Sequence, residues 1–394
     1  MPPERSQPAV LAVDGGGSKT EAALVGIDGT LLGAVRLQRS SNLGLGCDTE
    51  GGGLPVAVRA ACAAAGVAAG ARPIATTAVY CLAGVDLPVD ERRIRRLLRQ
   101  QGWSDTVLLR NDTFAMLRAG TDDGWGVAVG CGSGINCAGV GPDGKTVRFP
   151  AVGYMSGDLA GGAGWLGSSA LGWAVRGRDG RGPHTALERM VPEHFRLRSP
   201  LAVVEAVYVG RLPPRRLDEL APVVFEAAAI EDAVARKILD DLADEIVTMV
   251  RATLRRLHAT AGPVAVVLGG GVFKATDAPF LDRVRDGILA VNPSAGLIRL
   301  QAPPVLGAAL MGLDRLGAAP AAAARLRGAL TAARLAVSAE SARNGPAPAG
   351  GAGRPAAPAR MASLDGVRMS DQDQTWRAAP SKHSVPDQGG RTQP

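Results

Sequence analysis

Two glycine-rich loops, 115 positions apart, constrain the fold of this chain of 394 residues more than any other feature. The first loop, residues 14–20 (Asp-Gly-Gly-Gly-Ser-Lys-Thr), lies between two apolar runs, as does the second, residues 130–134 (Gly-Cys-Gly-Ser-Gly). The second run of each pair ends in an Asp-Gly turn, at Asp28 and Asp143, and the offset is again 115. Apolar runs joined and closed by such turns predict β-hairpins. The sequence therefore predicts two hairpins that align without a gap, and two related lobes.

The context of the first loop separates it from the two commonest phosphate-binding loops, which both run from a strand into a helix. No glycine precedes Gly17 and Lys19 at the distance that a Walker loop needs, and Thr20 stands where a dinucleotide-binding loop has its third glycine. Backbone N–H groups of a glycine loop can still bind phosphate oxygens. Asp14 is then placed to hold Mg²⁺ against the phosphates. A tight hairpin turn without a ligand is the alternative interpretation.

Composition and charge limit the partners and the location. Hydrophobic residues make up 46% of the chain and aromatic residues 4%, which favours a soluble α/β protein that packs through Ala, Val and Leu. No apolar run approaches the roughly 20 residues of a membrane span, and the start lacks the apolar core of a signal peptide, so we expect a cytoplasmic protein without a membrane partner. The net charge is +7, but residues 317–394 hold ten Lys/Arg and five Asp/Glu. The basicity is mostly in this tail, and we expect no nucleic-acid partner.

Three segments are predicted along the chain. Residues 1–113 form the first lobe and residues 114–316 the second, which contains a long amphipathic helix at 231–257. Residues 317–394 are rich in Ala, Pro, Gly and Arg and cannot bury enough apolar surface to offset chain entropy. They are predicted to be a disordered tail, with a helix permitted over part of 321–336.

Two further groups of residues follow predicted strands. A short β-like run ends just before Asn111 and Asp112, and ligand-contacting residues often follow the carboxyl ends of strands in open α/β sheets. A buried run over residues 264–268 ends in Gly269-Gly270-Gly271, where the missing side chains let a ligand approach the backbone closely. For Asp112, a helix N-cap is the alternative role.

These elements together resemble the N-acetylglucosamine kinases and the related BadF/BadG/BcrA/BcrD-type ATPases of the sugar kinase, Hsp70 and actin superfamily. The resemblance spans roughly residues 8–316. It implies two ribonuclease-H-like (actin-like ATPase) lobes with ATP and sugar in the cleft between them, Mg²⁺ at Asp14, and Asp112 as the catalytic base. The residues that it assigns to ATP are Asp14, Gly15, Gly16, Gly17, Ser18, Lys19, Thr20, Gly130, Gly132, Ser133, Gly269, Gly270 and Gly271.

The resemblance is weaker at the residues that would hold the sugar. Ser41-Asn42 resembles a sugar-binding turn of the family, and Gly157-Asp158 matches its Gly-Asp pair, whose carboxylate binds sugar hydroxyls. Val152 stands where the family has Trp, and Leu159 where it has Glu. The implied substrate contacts are Ser41, Asn42, Asn111, Asp112, Gly157 and Asp158. For Asp158, capping of its own loop is the alternative.

The sequence thus predicts an ATP-dependent kinase, expected as a homodimer, that phosphorylates a hydroxyl of a small amino sugar. The 6-hydroxyl of N-acetylglucosamine is the first candidate. One alternative is an ATPase that activates a dehydratase through an iron–sulfur cluster, and another is a non-catalytic sugar or nucleotide sensor. The iron–sulfur role needs exposed cysteine ligands. No CxxC pair occurs among the five cysteines, which are Cys47, Cys62, Cys81, Cys131 and Cys137.

Overall fold

Strands and helices alternate along the residues described by a computed structural model, which are 8–41, 52–68 and 70–335. The strands are β1 (Val10–Gly15), β2 (Thr20–Val25), β3 (Leu31–Leu37), β4 (Ala75–Leu82), β5 (Ser104–Arg110), β6 (Gly126–Cys131), β7 (Ile135–Val140), β8 (Thr146–Arg148), β9 (Val264–Gly269) and β10 (Ala295–Arg299). The helices are α1 (Gly53–Ala65), α2 (Pro88–Gln100), α3 (Asp112–Gly120), α4 (Ala163–Asp179), α5 (Leu187–His194), α6 (Pro200–Tyr208), α7 (Ala221–Ala229), α8 (Ala233–Arg256), α9 (Ala278–Val291), α10 (Pro304–Arg315) and α11 (Pro320–Ala329).

The two five-stranded sheets have the same topology. The strand order is β3-β2-β1-β4-β5 in the first sheet and β8-β7-β6-β9-β10 in the second. In the first sheet β1, β2 and β3 are antiparallel, while β4 runs parallel to β1 and to β5. In the second sheet β6, β7 and β8 are antiparallel, while β9 runs parallel to β6 and to β10. The two related lobes predicted from the repeated hairpin are therefore present.

The two hairpins differ by one residue at their loops. Gly15 pairs with Thr20 in the first ladder, which leaves residues 16–19 in the loop. Cys131 pairs with Ile135 in the second ladder, which leaves only residues 132–134. The prediction that the hairpins align without a gap is therefore wrong, because hydrogen-bond pairing and not sequence offset sets the register. The second pair from the loop is Asp14 and Glu21 in the first hairpin, and Gly130 and Asn136 in the second.

Helices cover both faces of the first sheet, and its strands alternate between the two. Leu11 and Val13 face α1 and α2. Val10, Ala12 and Ala23 face the opposite way and pack with α10 and α11. Because both faces are covered, β1 and β2 are buried along their whole length.

The two C-terminal helices follow the second sheet in sequence but pack on the first. A Cβ at Gly307 of α10 would lie 1.9 Å from the carbonyl oxygen of Ala115 in α3, so these two helices cross in direct contact. Ala322 and Leu326 of α11 are buried against the first sheet. This packing departs from the predicted end of the second lobe at residue 316. Within the tail predicted to be disordered, the helix that the sequence allowed over part of 321–336 is present as α11, because small and apolar residues at helical spacing bury a stripe there.

The second sheet packs against the long helix predicted from the sequence. This helix, α8, has 24 residues and buries Val234, Ile238, Leu242 and Ile246 in one apolar cluster with β6 and β9. It lies within the predicted range. Of the helices in the described residues, none has the length and apolar character to cross a membrane.

Candidate active site between the two sheets

The two glycine loops approach each other from the two lobes. In each sheet the parallel strands end at the same edge, β1 at Gly15 and β6 at Cys131. A Cβ at Gly17 would lie 3.7 Å from Ser133 Oγ and 3.8 Å from Ser133 Cβ. The structure therefore brings the tips of the first and second loops into contact, at the sheet edge where ligands bind in open α/β folds.

A buried pair of carboxylates lies at the base of the first loop. Asp14 and Glu21 are opposite each other in the β1–β2 ladder and are 5% and 0% exposed. Glu21 Oε1 accepts hydrogen bonds from Lys19 Nζ and Arg36 Nε, both at 2.7 Å. Asp14 Oδ1 and Glu21 Oε2 have no partner among the described residues. Burial, and next the charge of Glu21, raise the pKa of Asp14 well above its ordinary value.

Glu21 was missed by the sequence analysis, which stopped at the end of the glycine motif. Strand alternation provides the signal. In a two-stranded hairpin, the residue opposite a functional carboxylate projects from the same face. Here that opposite residue is also acidic, and Lys19 and Arg36 supply its countercharges.

The first loop is held from behind by residues 39–41. The backbone N–H of Ser41 donates to the carbonyl oxygen of Gly16 at 3.2 Å, and Thr20 Oγ1 donates to that of Arg39 at 2.7 Å. A Cβ at Gly15 would lie 2.0 Å from Ser41 Oγ. Ser41 is fully buried, and its hydroxyl has no partner among the described residues. Ser41 therefore lies directly against the loop, whereas Asn42 falls outside the described residues.

The carbonyl oxygens of the second loop accept hydrogen bonds from the first N–H groups of α4. The N–H of Ala163 donates to the carbonyl oxygen of Gly132 at 2.7 Å, and the N–H of Gly164 donates to that of Ser133 at 3.0 Å. A Cβ at Gly162 would lie 2.3 Å from the carbonyl oxygens of Gly132 and Gly134. Helix α4 thus satisfies its own N-terminal donors on the loop and fixes the shape of the loop.

The third glycine motif packs against the end of the second hairpin. Gly270 has a φ of +101°, and a Cβ there would lie 2.2 Å from the carbonyl oxygen of Cys131, so both the backbone and the space require glycine. Met116 of α3 lies under the same region. Its sulfur would be 3.1 Å from a Cβ at Gly130 and 3.0 Å from one at Gly269. The second loop, the third motif and α3 therefore form one packed unit.

Asp112 begins α3, but it does not cap that helix. The N-cap is Asn111, whose Oδ1 accepts hydrogen bonds from the N–H and hydroxyl of Thr113, at 3.0 and 2.6 Å. The alternative role of Asp112 as the N-cap is therefore wrong. Burial raises the pKa of Asp112 to about 6, against the opposing effect of nearby backbone N–H groups. The charge of Asp112 also contributes to the raised pKa values of Asp14 and Cys81, which places these groups close together.

Asp86 is a second carboxylate at this edge that the sequence analysis missed. It lies a few residues beyond the end of β4, the strand between β1 and β5. Its Oδ1 accepts hydrogen bonds from Asn111 Nδ2 at 2.8 Å and from Asn136 Nδ2 at 2.9 Å. Burial, and next the charge of Asp112, raise the pKa of Asp86 to about 7. Its position after the carboxyl end of a central parallel strand is the signal that could have found it.

Asp158 caps its own loop in this structure. Its Oδ2 accepts hydrogen bonds from the N–H of Gly153 at 3.0 Å and from the hydroxyl of Ser156 at 2.9 Å. Gly157, with a φ of +91°, turns the chain between the short 3₁₀ helix Gly153–Ser156 and Asp158. Burial, and also the charge of Asp158, raise the pKa of Glu245, which places this loop beside α8.

The cysteines within the described residues are buried as free thiols. They are Cys62, Cys81, Cys131 and Cys137. Cys47 lies outside those residues. In the same part of the chain, no three His, Cys, Asp or Glu side chains are grouped so that they could hold a metal ion by themselves.

Comparison with known proteins gives one family. The sequence model of the BadF/BadG/BcrA/BcrD ATPase family matches residues 11–312, from β1 into α10. The N-acetylmuramic acid/N-acetylglucosamine kinase of Clostridium acetobutylicum is 25% identical over 305 residues, which are 77% of this chain and 97% of that protein.

Two solved structures share the fold. A protein of Chromobacterium violaceum, provisionally named N-acetylglucosamine kinase, matches with a TM-score of 0.63 and 26% identity, over 78% of this chain and 99% of that one. A protein of Porphyromonas gingivalis with the same provisional name matches with a TM-score of 0.52 and 16% identity, over the same shares of 78% and 99%. With the shared topology of the two sheets, these matches confirm the predicted fold class.

Proposed function

This chain belongs to the BadF/BadG/BcrA/BcrD ATPase family, and we propose that it is an ATP-dependent sugar kinase whose active site is the edge where the two glycine loops meet. It transfers the γ-phosphate of ATP to a hydroxyl, the 6-hydroxyl, of an amino sugar. N-acetylglucosamine is the first candidate and N-acetylmuramic acid the second. The kinase names of two proteins that are 25% and 26% identical to this chain support the reaction class.

The state of Asp112 is the observation that carries this proposal. Asn111 caps α3, so the carboxylate of Asp112 is available to a substrate at the edge where both loops meet. Its pKa of about 6 keeps it mostly ionised at neutral pH while leaving it basic enough to accept a proton. We assign Asp112 as the general base that takes the proton of the attacking sugar hydroxyl.

The phosphates of ATP are assigned to the two glycine loops. The loops of Gly15, Gly16 and Gly17 on one side and of Gly132 and Ser133 on the other lie where the phosphates are assigned. The N–H groups of Gly16 and Gly132 donate within their own loops, to the carbonyl oxygens of Lys19 and Gly134, both at 2.9 Å. We therefore assign the N–H groups of Gly17 and Ser133 as phosphate donors. Ser18 adds a side-chain donor, and Lys19 adds one when its ammonium leaves Glu21 Oε1. The hydroxyl of Thr20, predicted as a further donor, is buried and donates to the carbonyl oxygen of Arg39 at 2.7 Å, so we assign Thr20 to holding the loop. The adenosine is assigned to Gly269-Gly270-Gly271, because this motif packs against the second loop.

Asp14 fits a Mg²⁺ ligand. Its Oδ1 is a buried carboxylate oxygen without a partner among the described residues. Mg²⁺ keeps several waters and binds substrate phosphates, so one protein carboxylate is a sufficient anchor. When bound, Mg²⁺ would neutralise charge on the transferring phosphate. A cation beside Asp14 would also offset the burial and the charge of Glu21 that raise its pKa.

The sugar is assigned to Asp112 and Asn111, to Ser41-Asn42 and to Gly157-Asp158. Both hydrogen bonds to Asp158 use Oδ2, and within the described part of the chain Oδ1 stays available to a sugar hydroxyl. We place the reaction in the cytoplasm, where ATP is supplied and buried thiols stay reduced. The homodimer stays a prediction that light scattering of the purified chain will test.

The test is the Asp112→Asn variant, assayed for ADP release and for phosphorylated product by mass spectrometry with a panel of amino sugars. We expect kcat to fall roughly 10²- to 10⁴-fold while calorimetry shows unchanged sugar binding. Asp105→Asn, an exposed residue of β5, is the control and should retain wild-type kcat. Unchanged turnover in Asp112→Asn would remove the base assignment. Binding of ATP and sugar without any phosphorylated product in the wild type would favour a sensor.

The burial of the described cysteines argues against the iron–sulfur alternative. That role needs thiolates that a cluster can reach, and Cys131 and Cys137 are 0% exposed. Burial raises the pKa of both thiols to about 12, which keeps them protonated. Iron in the purified protein would reopen this alternative.

A further inference from the structure

One carboxylate oxygen of Asp86, close to the proposed base Asp112, accepts hydrogen bonds from both lobes. Asp86 Oδ1 accepts a hydrogen bond from Asn111 Nδ2 of the first lobe, at 2.8 Å, and from Asn136 Nδ2 of the second, at 2.9 Å. Asn111 follows β5, whereas Asn136 lies on β7. The two donors therefore come from different sheets and meet on a single acceptor.

The first donor is tied to the turn that carries Asp112. Asn111 donates through Nδ2 to Asp86 and accepts through Oδ1 from the N–H and hydroxyl of Thr113. Its side chain is thus fixed at both ends. Because Asn111 and Thr113 flank Asp112 in sequence, this arrangement also fixes the backbone of Asp112 at the first turn of α3.

The second donor is tied to the second glycine loop. Asn136 pairs with Gly130 in the β6–β7 ladder, immediately before the loop of residues 132–134. Its Oδ1 accepts the N–H of Cys137 at 2.7 Å, so this side chain is also held at both ends. A continuous set of hydrogen bonds therefore runs from the turn of Asp112, through Asp86, to the strand that carries the second loop.

A second contact between the lobes lies nearby but has a different character. Glu91 of α2 and Arg148 of β8 form an ion pair at 2.6 Å, with side chains 31% and 32% exposed. Ion pairs with this much solvent contact are weak. The Asp86 contacts are hydrogen bonds to an ionisable acceptor in a partly buried site, and such bonds are stronger and more directional.

We propose that Asp86 is a positioning residue for phosphoryl transfer. It holds the turn of Asp112 in fixed register with the second glycine loop, so that the base and the phosphate stay aligned when the lobes bind substrate. Small errors in such alignment reduce turnover strongly, because a misplacement of about 1 Å can cost roughly 10²-fold. This role rests on the proposed kinase function, and Asp86 itself has no part in the chemical step.

The test exchanges the side chains of residues 86 and 136. N136D places a second carboxylate against Asp86, and we expect kcat to fall roughly 10- to 100-fold, with KM for sugar and ATP changed less than about threefold. D86N in the N136D background should restore kcat to within about threefold of wild type. The amide introduced at position 86 can donate to position 136 and still accept from Asn111. E91Q, which breaks only the Glu91–Arg148 ion pair, should change kcat less than twofold.

Two results would overturn the proposal, provided that all variants fold by circular dichroism. One is wild-type kcat in N136D, and the other is a double variant no more active than N136D alone. If the wild type phosphorylates no sugar, that result refutes the kinase proposal but leaves the role of Asp86 to be tested by a second measurement. ADP should raise the melting temperature less in N136D than in the wild type, and the D86N/N136D double variant should show the full wild-type increase. Equal ADP shifts in all three proteins would then refute the role of Asp86.

Discussion

The two glycine-loop hairpins share a topology but differ in chemistry. Next to the loop, the first hairpin places Asp14 opposite Glu21, whereas the second places Gly130 opposite Asn136. The first hairpin therefore carries two buried carboxylates, and the countercharges of Glu21 are Lys19 and an arginine of β3. The second hairpin has a glycine and an uncharged amide side chain at the same positions. A repeated scaffold can thus present two unlike halves to one nucleotide, with charge on one side and neutral donors on the other.

The charged hairpin also carries a free-energy cost that the second hairpin does not. Asp14 Oδ1 and Glu21 Oε2 are buried without partners among the described residues, which costs free energy of folding. At the matching position of the second hairpin there is no carboxylate. The following predictions alter one hairpin or its counterpart, beginning with the largest expected effect.

Asp14→Asn removes one of the two buried carboxylates of the first hairpin. We expect turnover to fall roughly 10²- to 10³-fold, because the anchor proposed for Mg²⁺ loses its charge. The free energy of unfolding should rise by about 1 kcal/mol, since a buried carboxylate with an unpartnered oxygen is removed. Steady-state kinetics over a Mg²⁺ titration and thermal melts measure both effects. Asp143→Asn, an exposed turn residue of the second hairpin, is the control, and a less stable Asp14→Asn variant would contradict the argument.

The turns at the far ends of the hairpins allow a matched pair of substitutions. Gly29 and Gly144 have φ values of +82° and +80°, so alanine costs the backbone a similar amount at each. A Cβ at Gly29 would lie 2.0 Å from the carbonyl oxygen of Ala322 in α11, whereas nothing lies within 4 Å at Gly144. We expect Gly29→Ala to destabilise by about 3 kcal/mol and Gly144→Ala by about 1 kcal/mol in urea unfolding. Equal losses would mean that α11 does not resist displacement.

Glu21→Gln removes the other buried charge of the first hairpin. Arg36, whose side chain is 19% exposed, and Lys19 then lose their countercharge. We expect a loss of about 2 kcal/mol in urea unfolding, below the range for a fully buried pair, because the glutamine oxygen can still accept hydrogen bonds. Asp241→Asn, which breaks an exposed pair with Lys237, should cost less than about 0.5 kcal/mol. A Glu21→Gln variant as stable as this control would refute the prediction.

The pH dependence of activity and stability should have opposite signs at Asp112. With a pKa of about 6, ionisation of the base should raise kcat/KM about tenfold from pH 5 to pH 7. Since this folded-state pKa is above the ordinary carboxyl value, the folded protein binds the extra proton. The stability contributed by this group is present below about pH 4 and is lost as pH rises through 6.

The Asp112→Asn variant isolates this linkage from the other titrating groups. Its melting temperature relative to the wild type should be higher at pH 8 than at pH 5, because the variant has no charge to bury. Thermal melts at the two pH values measure the difference. A difference that is independent of pH would show that the folded-state pKa of Asp112 is not raised.

The duplicated architecture and the meeting of the loops could be predicted from the sequence, because glycine loops at a constant offset leave a repeat that needs no structure to detect. The one-residue gap could not be predicted, since register depends on which backbone groups pair across the ladder. Glu21 and Asp86 belong to no motif. Their roles depend on Asp14 and Asn136, which reach them only after the strands have paired.

The C-terminal helix shows a different limit of sequence reasoning. Residues 320–329 have the Ala and Arg composition of the segment that follows, so composition alone assigns both to one tail. What distinguishes α11 is a contact with the Asp28-Gly29 turn, where Arg325 pairs with Asp28 at 2.5 Å. That contact joins residues almost 300 positions apart, and no local pattern encodes it.

The packing of α10 and α11 on the first sheet sets the order in which the chain can fold during synthesis. Val10, Ala12 and Ala23 lie in the first strands to be made, yet their covering helices are the last described elements. At about 5–20 residues per second, the roughly 280 residues between β2 and α10 take about 15 to 60 s to translate. The second sheet, from β6 to β10, and the helices α4 to α9 are complete before then. The lobe that is synthesised second is therefore the first able to finish folding, and the first lobe keeps an apolar face open to chaperones until α10 and α11 have been made.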